Sequence, residues 1–397
     1  MKVLMLSTDQ RIFEENSEVR QRMADFGSVF DELRIIVYTK GKLHKKTAIA
    51  GNVFAYPTNT RFKLLYFWQA YKIGAGIIRN SCLPVGMGKS GIVPIPSRTR
   101  DKVGGNFAIT AQDPFETGLA GWFLKLRFKI PLQIQIHTDL FSPYFRKESL
   151  KNRLKLILAE FLLPRADGIR VVSERIKRSL ESNVKCQMSY VSVLPVFIDI
   201  KKMKDAKIET DLRKKYPNYD FIVLIASRIA TEKNFSLVMR IASGIFIKYP
   251  RTLFLIVGGM PKNIQESLLC HHPMLKDNII VESWTNDLVS YYKTADLFLL
   301  TSNYEGYGRT IVEAMASGLP VVMTNVGLAG EIIKDNWNGF VVPVNDSEEL
   351  TRAVKMMIDD SGKRKLFIHR SREIVDNFPD KRSYLEKYRN SLNLMLK

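Results

Sequence analysis

The segment 300–322, LTSNYEGYGRTIVEAMASGLPVV, contains the pattern that decides the fold. The apolar run Leu297–Leu300 leads into it and predicts a short buried strand. Gly306 and Gly308 bracket a tight turn, where the backbone can approach a ligand closely. We expect a helix over 309–317 and a second strand immediately after it. The order strand, glycine turn, helix and strand is typical of a parallel α/β sheet.

Two carboxylates flank the start of the predicted helix. Glu305 and Glu313 are separated by seven residues. The free N–H groups of a helix N-terminus can hold an anion such as phosphate, and carboxylates accept hydrogen bonds from hydroxyl groups. The combination indicates a ligand with both phosphates and hydroxyls, such as a sugar nucleotide. The alternative is that Glu305 is an ordinary turn residue and Glu313 a solvated helix residue.

This segment resembles the E-x7-E motif of retaining glycosyltransferases of the GT-B fold, in the group often called family 4. The stretches SRIATEKN at 227–234, VGLAGEII at 326–333 and NGFVVP at 338–343 resemble the same family. QDPF at 112–115, HTD at 137–139 and ADGIRVVS at 166–173 are similar to its acceptor-side landmarks. The resemblance implies an α/β protein with two Rossmann-like domains whose parallel sheets face each other across a cleft. It also implies transfer of a sugar from a nucleoside-diphosphate sugar to a hydroxyl acceptor.

A basic pair follows another predicted strand. Arg228 and Lys233 come directly after the apolar run Phe221–Ala226, and ligands bind at the carboxyl ends of strands in open parallel sheets. The resemblance assigns both side chains to the donor diphosphate, as catalytic and donor-binding residues. Two cations and a helix N-terminus make a divalent metal unnecessary, and the resemblance also implies metal independence. The alternative is solvated surface charge.

The remaining donor-side roles follow from the resemblance. Glu313 resembles the glutamate that binds ribose, and Glu305 resembles the residue beside the donor sugar. Further donor-binding residues are expected in the glycine turns and near the base: Gly306, Tyr307, Gly308, Gly258 and Trp284. For Trp284, packing in the core is an equally open interpretation.

On the acceptor side, His137 follows the apolar run Leu132–Ile136 and should point into the interdomain cleft. It resembles a family histidine near the donor sugar, and the resemblance implies a catalytic role for His137 and Glu305. The alternative is a structural histidine. Weaker acceptor-binding candidates lie in the same half of the chain: Asp113, Asp139, Asp9 and Arg11. No residue is expected to bind a metal, because Cys270 and the two histidines after it form an isolated cluster that predicts a loop.

The length of the chain indicates its domain count, and its charge indicates the kind of partner that it binds. The 397 residues exceed the size at which one core keeps growing, so two domains are expected. The net charge is +20, and residues 1–200 hold 31 Lys or Arg against 17 Asp or Glu. A basic half indicates an anionic partner, either a nucleic acid or a lipid surface, and the resemblance favours the lipid surface. We therefore expect a glycan or lipid-linked acceptor and no nucleic acid.

The remaining expectations concern the donor and the compartment. The donor should be a UDP-sugar or a GDP-sugar, and no separate cofactor is expected. No apolar run approaches the ~20 residues of a membrane-spanning helix, and three widely spaced cysteines argue for a reducing compartment. A cytoplasmic protein with peripheral contact to the inner face of the membrane fits these features.

Alternating strand and helix patterns predict the domain organisation. Residues 1–198 should form an N-terminal, acceptor-binding domain and residues 199–380 a nucleotide-sugar-binding domain. Residues 381–397 should form an amphipathic helix, which in relatives crosses back to the N-terminal domain. The basic, aromatic stretch 61–73 could lie in a membrane interface or be an ordinary helix packed on the sheet. The glycine- and proline-rich stretch 81–106 predicts a long functional or mobile loop.

Two other functions remain open at this stage. A sugar-nucleotide epimerase could use the same fold, and turnover of the donor without an acceptor would distinguish it. A catalytically inactive basic module that binds lipid or nucleic acid would keep the charge and lack donor turnover.

Overall fold

The computed structural model describes residues 1–41, 44–81, 106–184 and 190–396. The glycine- and proline-rich stretch predicted as a long loop lies almost wholly outside these residues. The described chain forms two α/β units, each built on its own largely parallel sheet. The predicted fold class is confirmed.

The first unit contains an eight-stranded sheet in the order β3-β4-β2-β1-β5-β6-β7-β8. All neighbouring strands are parallel except β3 and β4. Its strands are β1 Lys2–Ser7, β2 Glu32–Val37, β3 Thr47–Ala50, β4 Val53–Pro57, β5 Phe107–Ala111, β6 Leu132–Ile136, β7 Gly168–Val171 and β8 Val191–Val193. The helices among them are α1 Glu18–Gly27, α2 Tyr66–Ser81, α3 Glu116–Phe128, α4 Pro143–Glu148, α5 Leu150–Leu162 and α6 Glu174–Asn183.

The second unit contains a six-stranded parallel sheet in the order β11-β10-β9-β12-β13-β14. Its strands are β9 Phe221–Ala226, β10 Thr252–Val257, β11 Ile279–Glu282, β12 Leu297–Leu300, β13 Val321–Thr324 and β14 Phe340–Val342. Its helices are α7 Ile200–Asp205, α8 Leu212–Lys215, α9 Phe235–Phe246, α10 Lys262–Leu269, α11 Leu288–Thr294, α12 Arg309–Ala316, α13 Ser347–Asp359 and α14 Ser361–Asp376.

The last helix, α15 (Lys381–Asn393), packs against the sheet of the first unit. The hydroxyl of Tyr384 accepts a hydrogen bond from Arg170 of β7 at 3.1 Å, and Gln135 of β6 donates to the hydroxyl of Tyr388 at 3.2 Å. The apolar stripe predicted from the sequence is buried: Tyr384, Leu385, Tyr388, Leu392 and Met395. The chain therefore begins and ends in the same unit.

The helix α2 has two different sides. Ala70, Gly74 and Ile78 are buried against the sheet, as expected for an ordinary packed helix, whereas Trp68 at its start is exposed. None of the described helices is both long and apolar enough to cross a bilayer.

Candidate active site

The two units touch where strands of both sheets end. His137 directly follows β6, and Gly306 lies in the turn after β12. A Cβ atom added to Gly306 would lie only 1.8 Å from the carbonyl oxygen of His137, so no larger residue fits without movement. The hydroxyl of Ser173 also donates to the carbonyl oxygen of Gly306 at 3.0 Å. The glycine turn is therefore packed directly against the N-terminal unit.

Other contacts hold the units together around this point. The guanidinium of Arg175 donates to the carbonyl oxygens of Gly327 at 3.0 Å and Ala329 at 2.8 Å. Arg309 of α12 forms an ion pair of 3.2 Å with Glu18 of α1. These contacts join residues that are more than 150 positions apart, so the structure has its two halves closed on each other.

Lys233 and Glu305 form an ion pair beside the glycine turn. Their side chains are only 15% and 14% exposed. The hydroxyl of Ser302 donates to Glu305 Oε1 at 2.8 Å, and Thr301 donates to the carbonyl oxygen of Lys233 at 2.8 Å. The strands β9 and β12 are neighbours in the sheet, which is why two residues 72 positions apart meet at its edge.

Arg228 lies differently from Lys233. Its side chain is 75% exposed, and it donates to Glu232 Oε1 at 2.6 Å. The expected basic pair thus consists of one enclosed ammonium and one guanidinium at the rim. Only Nη2 of Arg228 is hydrogen-bonded to Glu232, so the rest of the guanidinium can contact an anion at the rim.

Glu313 is buried on α12 and has two hydrogen-bond donors. Arg309 Nε donates to Glu313 Oε1 at 2.5 Å, and the hydroxyl of Tyr292 donates to Oε2 at 3.1 Å. Burial raises the pKa of this carboxyl group, and Arg309 opposes the rise. The alternative interpretation of Glu313 as a solvated helix residue therefore does not hold. Arg309 was missed from the sequence, although its spacing of four residues from Glu313 is that of a helix-surface ion pair.

The start of α12 lies in the glycine turn that contacts the N-terminal unit. Gly308 has φ +86° and caps the helix without a side-chain hydrogen bond. Tyr307 is buried beside it, and its hydroxyl has no hydrogen-bond partner. Gly258, after β10, has φ +150°, and a Cβ there would lie 1.9 Å from the Ser227 carbonyl oxygen. Trp284 is 57% exposed, so it is not packed in the core.

The imidazole of His137 contacts buried polar side chains of the first sheet. Its Nε2 lies 3.1 Å from Gln135 Oε1, which also accepts from Arg170 Nη1 at 2.9 Å. Because an amide oxygen only accepts, Nε2 carries the hydrogen and Nδ1 is left with its lone pair. His137 is exposed to solvent, yet desolvation by the protein around its ring lowers its pKa, and the charges of Arg170 and Arg22 lower the pKa further. The imidazole is therefore neutral at pH 7.

Asp113 and Asp139 have partners within the N-terminal unit. Asp113 Oδ1 accepts from the backbone N–H of Phe115 at 2.8 Å, at the start of α3. Burial raises the pKa of Asp113 to about 6. Asp139 Oδ1 accepts from the hydroxyl of Ser179 at 3.0 Å. Both carboxylates thus stabilise local structure, a function that the sequence pattern did not indicate.

Asp9 and Arg11 lie in the loop after β1 and bind each other. The carboxylate of Asp9 forms an ion pair of 3.0 Å with Arg11 and also accepts from the Arg11 backbone N–H at 3.2 Å. Arg11 remains 64% exposed. Among the residues that the structure describes, no group of three or more His, Cys, Asp or Glu is arranged to hold a metal ion.

Comparison with solved structures supports this architecture over the whole chain. Sucrose-phosphate synthase from Thermosynechococcus elongatus superposes with a TM-score of 0.77 at 16% identity, covering 98% of this chain and 97% of that one. Anabaena HepE in complex with UDP-glucose superposes with a TM-score of 0.73 at 18% identity, covering 99% of each chain. This protein has the GT-B fold.

Sequence comparison connects the second half of this GT-B protein with glycosyltransferases. Residues 208–374 match the family Glycosyl transferases group 1. The UDP-Gal:alpha-D-GlcNAc-diphosphoundecaprenol alpha-1,3-galactosyltransferase of Escherichia coli is 28% identical over 182 residues, which cover 43% of this chain and 46% of that protein. The capsular polysaccharide biosynthesis glycosyltransferase CapM of Staphylococcus aureus is 24% identical over 243 residues, covering 58% and 63%. The match therefore spans about half to two thirds of these relatives.

Proposed function

We propose that this GT-B protein is a glycosyltransferase that moves a sugar from a nucleoside-diphosphate sugar to a hydroxyl acceptor with retention of the anomeric configuration. The observation that carries the proposal is the Lys233–Glu305 pair beside the start of α12, which has no side-chain cap and contacts His137 of the other unit through Gly306. It combines a cation, a carboxylate and free backbone N–H groups in one cleft. A sugar diphosphate has the complementary groups.

In the proposed reaction, the bond between the anomeric carbon and the diphosphate oxygen breaks, and the acceptor oxygen bonds to that carbon from the same face. The acceptor proton passes to the departing phosphate oxygen. Lys233, Arg228 and the start of α12 stabilise the charge that develops on the diphosphate. Glu305 stabilises the positive charge that develops on the sugar, and Glu313 holds the ribose hydroxyls. A neutral His137 can accept a hydrogen bond from a sugar hydroxyl through Nδ1.

Arg309 has to rearrange in this scheme. Its guanidinium forms one ion pair with Glu313 on the same helix and another with Glu18 across the cleft. When ribose hydroxyls bind Glu313, part of that interaction is exchanged for hydrogen bonds to the donor. The Glu18–Arg309 pair can persist and keep the units closed.

For the acceptor, we propose a lipid-linked glycan precursor on the inner face of a membrane. The excess of 14 positive charges in residues 1–200 suits an acceptor that carries a phosphate or diphosphate. The name of the Escherichia coli relative describes a diphosphoundecaprenol-linked acceptor. UDP-sugars are the first donors to test, because HepE binds UDP-glucose.

The proposal is tested by incubating the protein with UDP-glucose, UDP-galactose, UDP-N-acetylglucosamine or GDP-mannose and a sugar-diphosphate-lipid acceptor. We expect release of the nucleoside diphosphate together with a glycosylated lipid, whose anomeric configuration is read by NMR. Conversion of the donor to its epimer without acceptor would instead identify an epimerase. Donor binding without turnover by any of these substrates would identify an inactive binding module.

Metal dependence is tested in the same assay. We expect activity to survive EDTA, because Lys233 and the start of α12 offset the charge of the leaving group. The control is re-addition of magnesium or manganese after chelation. Complete loss of activity with EDTA, restored by either ion, would contradict the metal-independent mechanism.

A further inference from the structure

The helix α5 carries apolar residues on two opposite sides. Its inward residues are buried in the core: Leu156, Ala159 and Leu162. A second set, spaced by four, three and four positions, is strongly exposed: Leu150 74%, Leu154 68%, Ile157 62% and Phe161 40%. This spacing lines up one helix face. A surface helix of a soluble domain normally has only one apolar side, so the outer stripe requires an explanation.

The outer stripe continues over two neighbouring helices. The ring of Phe161 lies 5.2 Å from that of Trp122 on α3, and Trp122 lies 5.0 Å from Phe123. Phe123 in turn lies 5.2 Å from Phe67 on α2. We call the exposed large side chains of this surface the apolar face: Phe62, Leu65, Trp68, Phe123, Leu126, Leu150, Leu154, Ile157 and Phe161. They are nine of the nineteen exposed large hydrophobic residues in the described chain.

The segments that carry the apolar face are rich in positive charge. The segments 61–81, 116–130 and 143–165 contain 13 Lys or Arg and 3 Asp or Glu, a net charge of +10. On α5, helical spacing puts Lys151 and Arg153 on the two sides of the stripe. The guanidinium of Arg165 lies 3.8 Å from the ring of Phe161, and the ammonium of Lys72 lies 5.4 Å from the ring of Trp68. Apolar side chains and cations are therefore presented together.

The apolar face begins beside the cleft. Phe145 of α4 packs edge-on against Tyr304 of the second unit, with ring centroids 5.6 Å apart. The carboxylate of Glu148 accepts a hydrogen bond from the hydroxyl of Tyr304. Leu150, the first residue of the stripe, follows two positions later. A surface bound to the apolar face would therefore lie close to the entrance of the candidate site.

We propose that the apolar face is a docking surface for a bilayer that contains anionic phospholipids. Large apolar and aromatic side chains enter the boundary between headgroups and acyl chains, and Lys and Arg bind the anionic headgroups. A second copy of this chain is a poorer occupant, because it would bring a second net charge of +10 against the first. The docking surface stands independently of the proposed reaction, which it would serve by bringing the cleft to a lipid-linked acceptor.

The test is co-sedimentation of the full chain with phosphatidylcholine vesicles, with and without phosphatidylglycerol. The test variant is Leu154→Ser with Ile157→Ser, whose side chains contact solvent, so that the fold is retained. The matched control is Ile247→Ser, which changes an 82% exposed isoleucine of the second unit. Two double variants test the charges. One combines Lys151→Glu and Arg153→Glu on α5, and its control combines Lys214→Glu and Lys365→Glu in the second unit. Circular dichroism melting checks that every variant is folded.

We expect the wild type to bind vesicles that contain phosphatidylglycerol, and the stripe variant to bind about 10-fold or more weakly, because two apolar side chains that would enter the bilayer are lost. Binding should weaken when salt rises from about 0.1 M to about 1 M, which shortens the Debye length to ~3 Å. Turnover of a short-chain, water-soluble acceptor should be unchanged in the stripe variant. This last measurement keeps a failure of the surface distinct from a failure of the proposed reaction.

Equal binding by the wild type and the stripe variant, or no preference for anionic vesicles, would overturn the proposal. A concentration-dependent dimer that the stripe substitutions dissociate, without vesicle binding, would also overturn it in favour of a second copy as the occupant. Weakened vesicle binding in the stripe variant, with Ile247→Ser behaving as the wild type, supports it.

Discussion

At the residue scale, the candidate site is dominated by charges that neutralise each other. Lys233 is paired with Glu305, and Arg309 with Glu313, so both carboxylates of the E-x7-E pattern hold a cation in the structure. In the proposed reaction, the phosphates and hydroxyls of the donor compete with these partners. The contribution of each residue to catalysis in the proposed reaction therefore depends on how buried its side chain is as well as on its residue type.

The first prediction separates Lys233 from Arg228. Lys233→Ala should lower kcat/KM by about 2–4 kcal/mol of transition-state stabilisation, because an enclosed ammonium acts in a water-poor site. Arg228→Ala should cost less, because its side chain is 75% exposed and already paired with Glu232. Steady-state kinetics with varied donor measures both effects.

Because Lys233→Ala also removes the cation paired with Glu305, thermal melting and the double variant that combines Lys233→Ala with Glu305→Gln serve as stability controls. Lys214→Ala is the surface-charge control. Near-wild-type turnover in Lys233→Ala would contradict the assignment to the donor diphosphate.

The second prediction is that substitutions of Glu305 and Glu313 change different kinetic constants. Glu305→Gln should chiefly lower kcat, because a carboxylate beside the reacting sugar gains interaction energy as positive charge develops. Glu313→Ala should chiefly raise the donor KM, because ribose hydroxyls are bound equally in the ground and transition states. The expected rise is about 10-fold, the value of one hydrogen bond to a charged group. Kinetics with donor varied at saturating acceptor distinguishes these outcomes, and equal falls in kcat with unchanged KM would refute the division of roles.

At the scale of elements, the turn between β12 and α12 determines how the two units meet. The turn needs glycine at 308 because φ is +86°. It needs glycine at 306 for a different reason, which is the 1.8 Å approach of an added Cβ to the carbonyl oxygen of His137. One glycine shapes the start of the helix, and the other permits the contact between units.

The third prediction concerns this contact. Gly306→Ala should force the units apart and lower kcat/KM by at least about 100-fold, as small misplacements of reacting groups do. Small-angle scattering should show a larger radius of gyration than in the wild type. Gly76→Ala is the matched control, because a Cβ added there meets no atom within 4 Å. Wild-type kinetics in Gly306→Ala would mean that the closed contact is not the reactive arrangement.

At the scale of the whole molecule, α15 ties the end of the chain to its beginning. Tyr388 is fully buried between Phe26 and Phe30 of the first unit, with ring centroids 4.4 Å and 5.9 Å away. Its hydroxyl also accepts from Gln135. Stability of the N-terminal unit therefore depends on the last residues of the chain.

The fourth prediction follows from that packing. Tyr388→Ala should lower the free energy of unfolding by about 3–5 kcal/mol, the usual cost of removing a large buried aromatic side chain. Urea unfolding followed by circular dichroism measures it. Arg382→Ala on the same helix is the control, because its side chain is 88% exposed. Equal stability of the two variants would show that α15 contributes little to the first unit.

The sequence predicted the central strands well and the outer ones poorly. The apolar runs Leu132–Ile136, Phe221–Ala226 and Leu297–Leu300 are strands with those bounds, and the strand expected after the glycine turn and its helix is Val321–Thr324. All residues of these four strands are buried. Five strands were missed: β3, β4, β8, β11 and β14. They are short or partly exposed, so their pattern is weaker than that of a strand covered on both faces.

By itself, the sequence determined the features that depend on local order. The glycine turn, the helix that follows it, the apolar strands and the stripe of α15 are all periodic or short-range patterns, and each element is built from neighbouring residues. Only the tertiary structure decided which distant residues meet: Lys233 with Glu305, Glu18 with Arg309, and Gly306 with His137. Those contacts depend on strand order and on closure of the two units, which local patterns do not encode. The exposure of the outer stripe of α5 was decided in the same way, because an apolar side chain has the same sequence signature whether a core or solvent covers it.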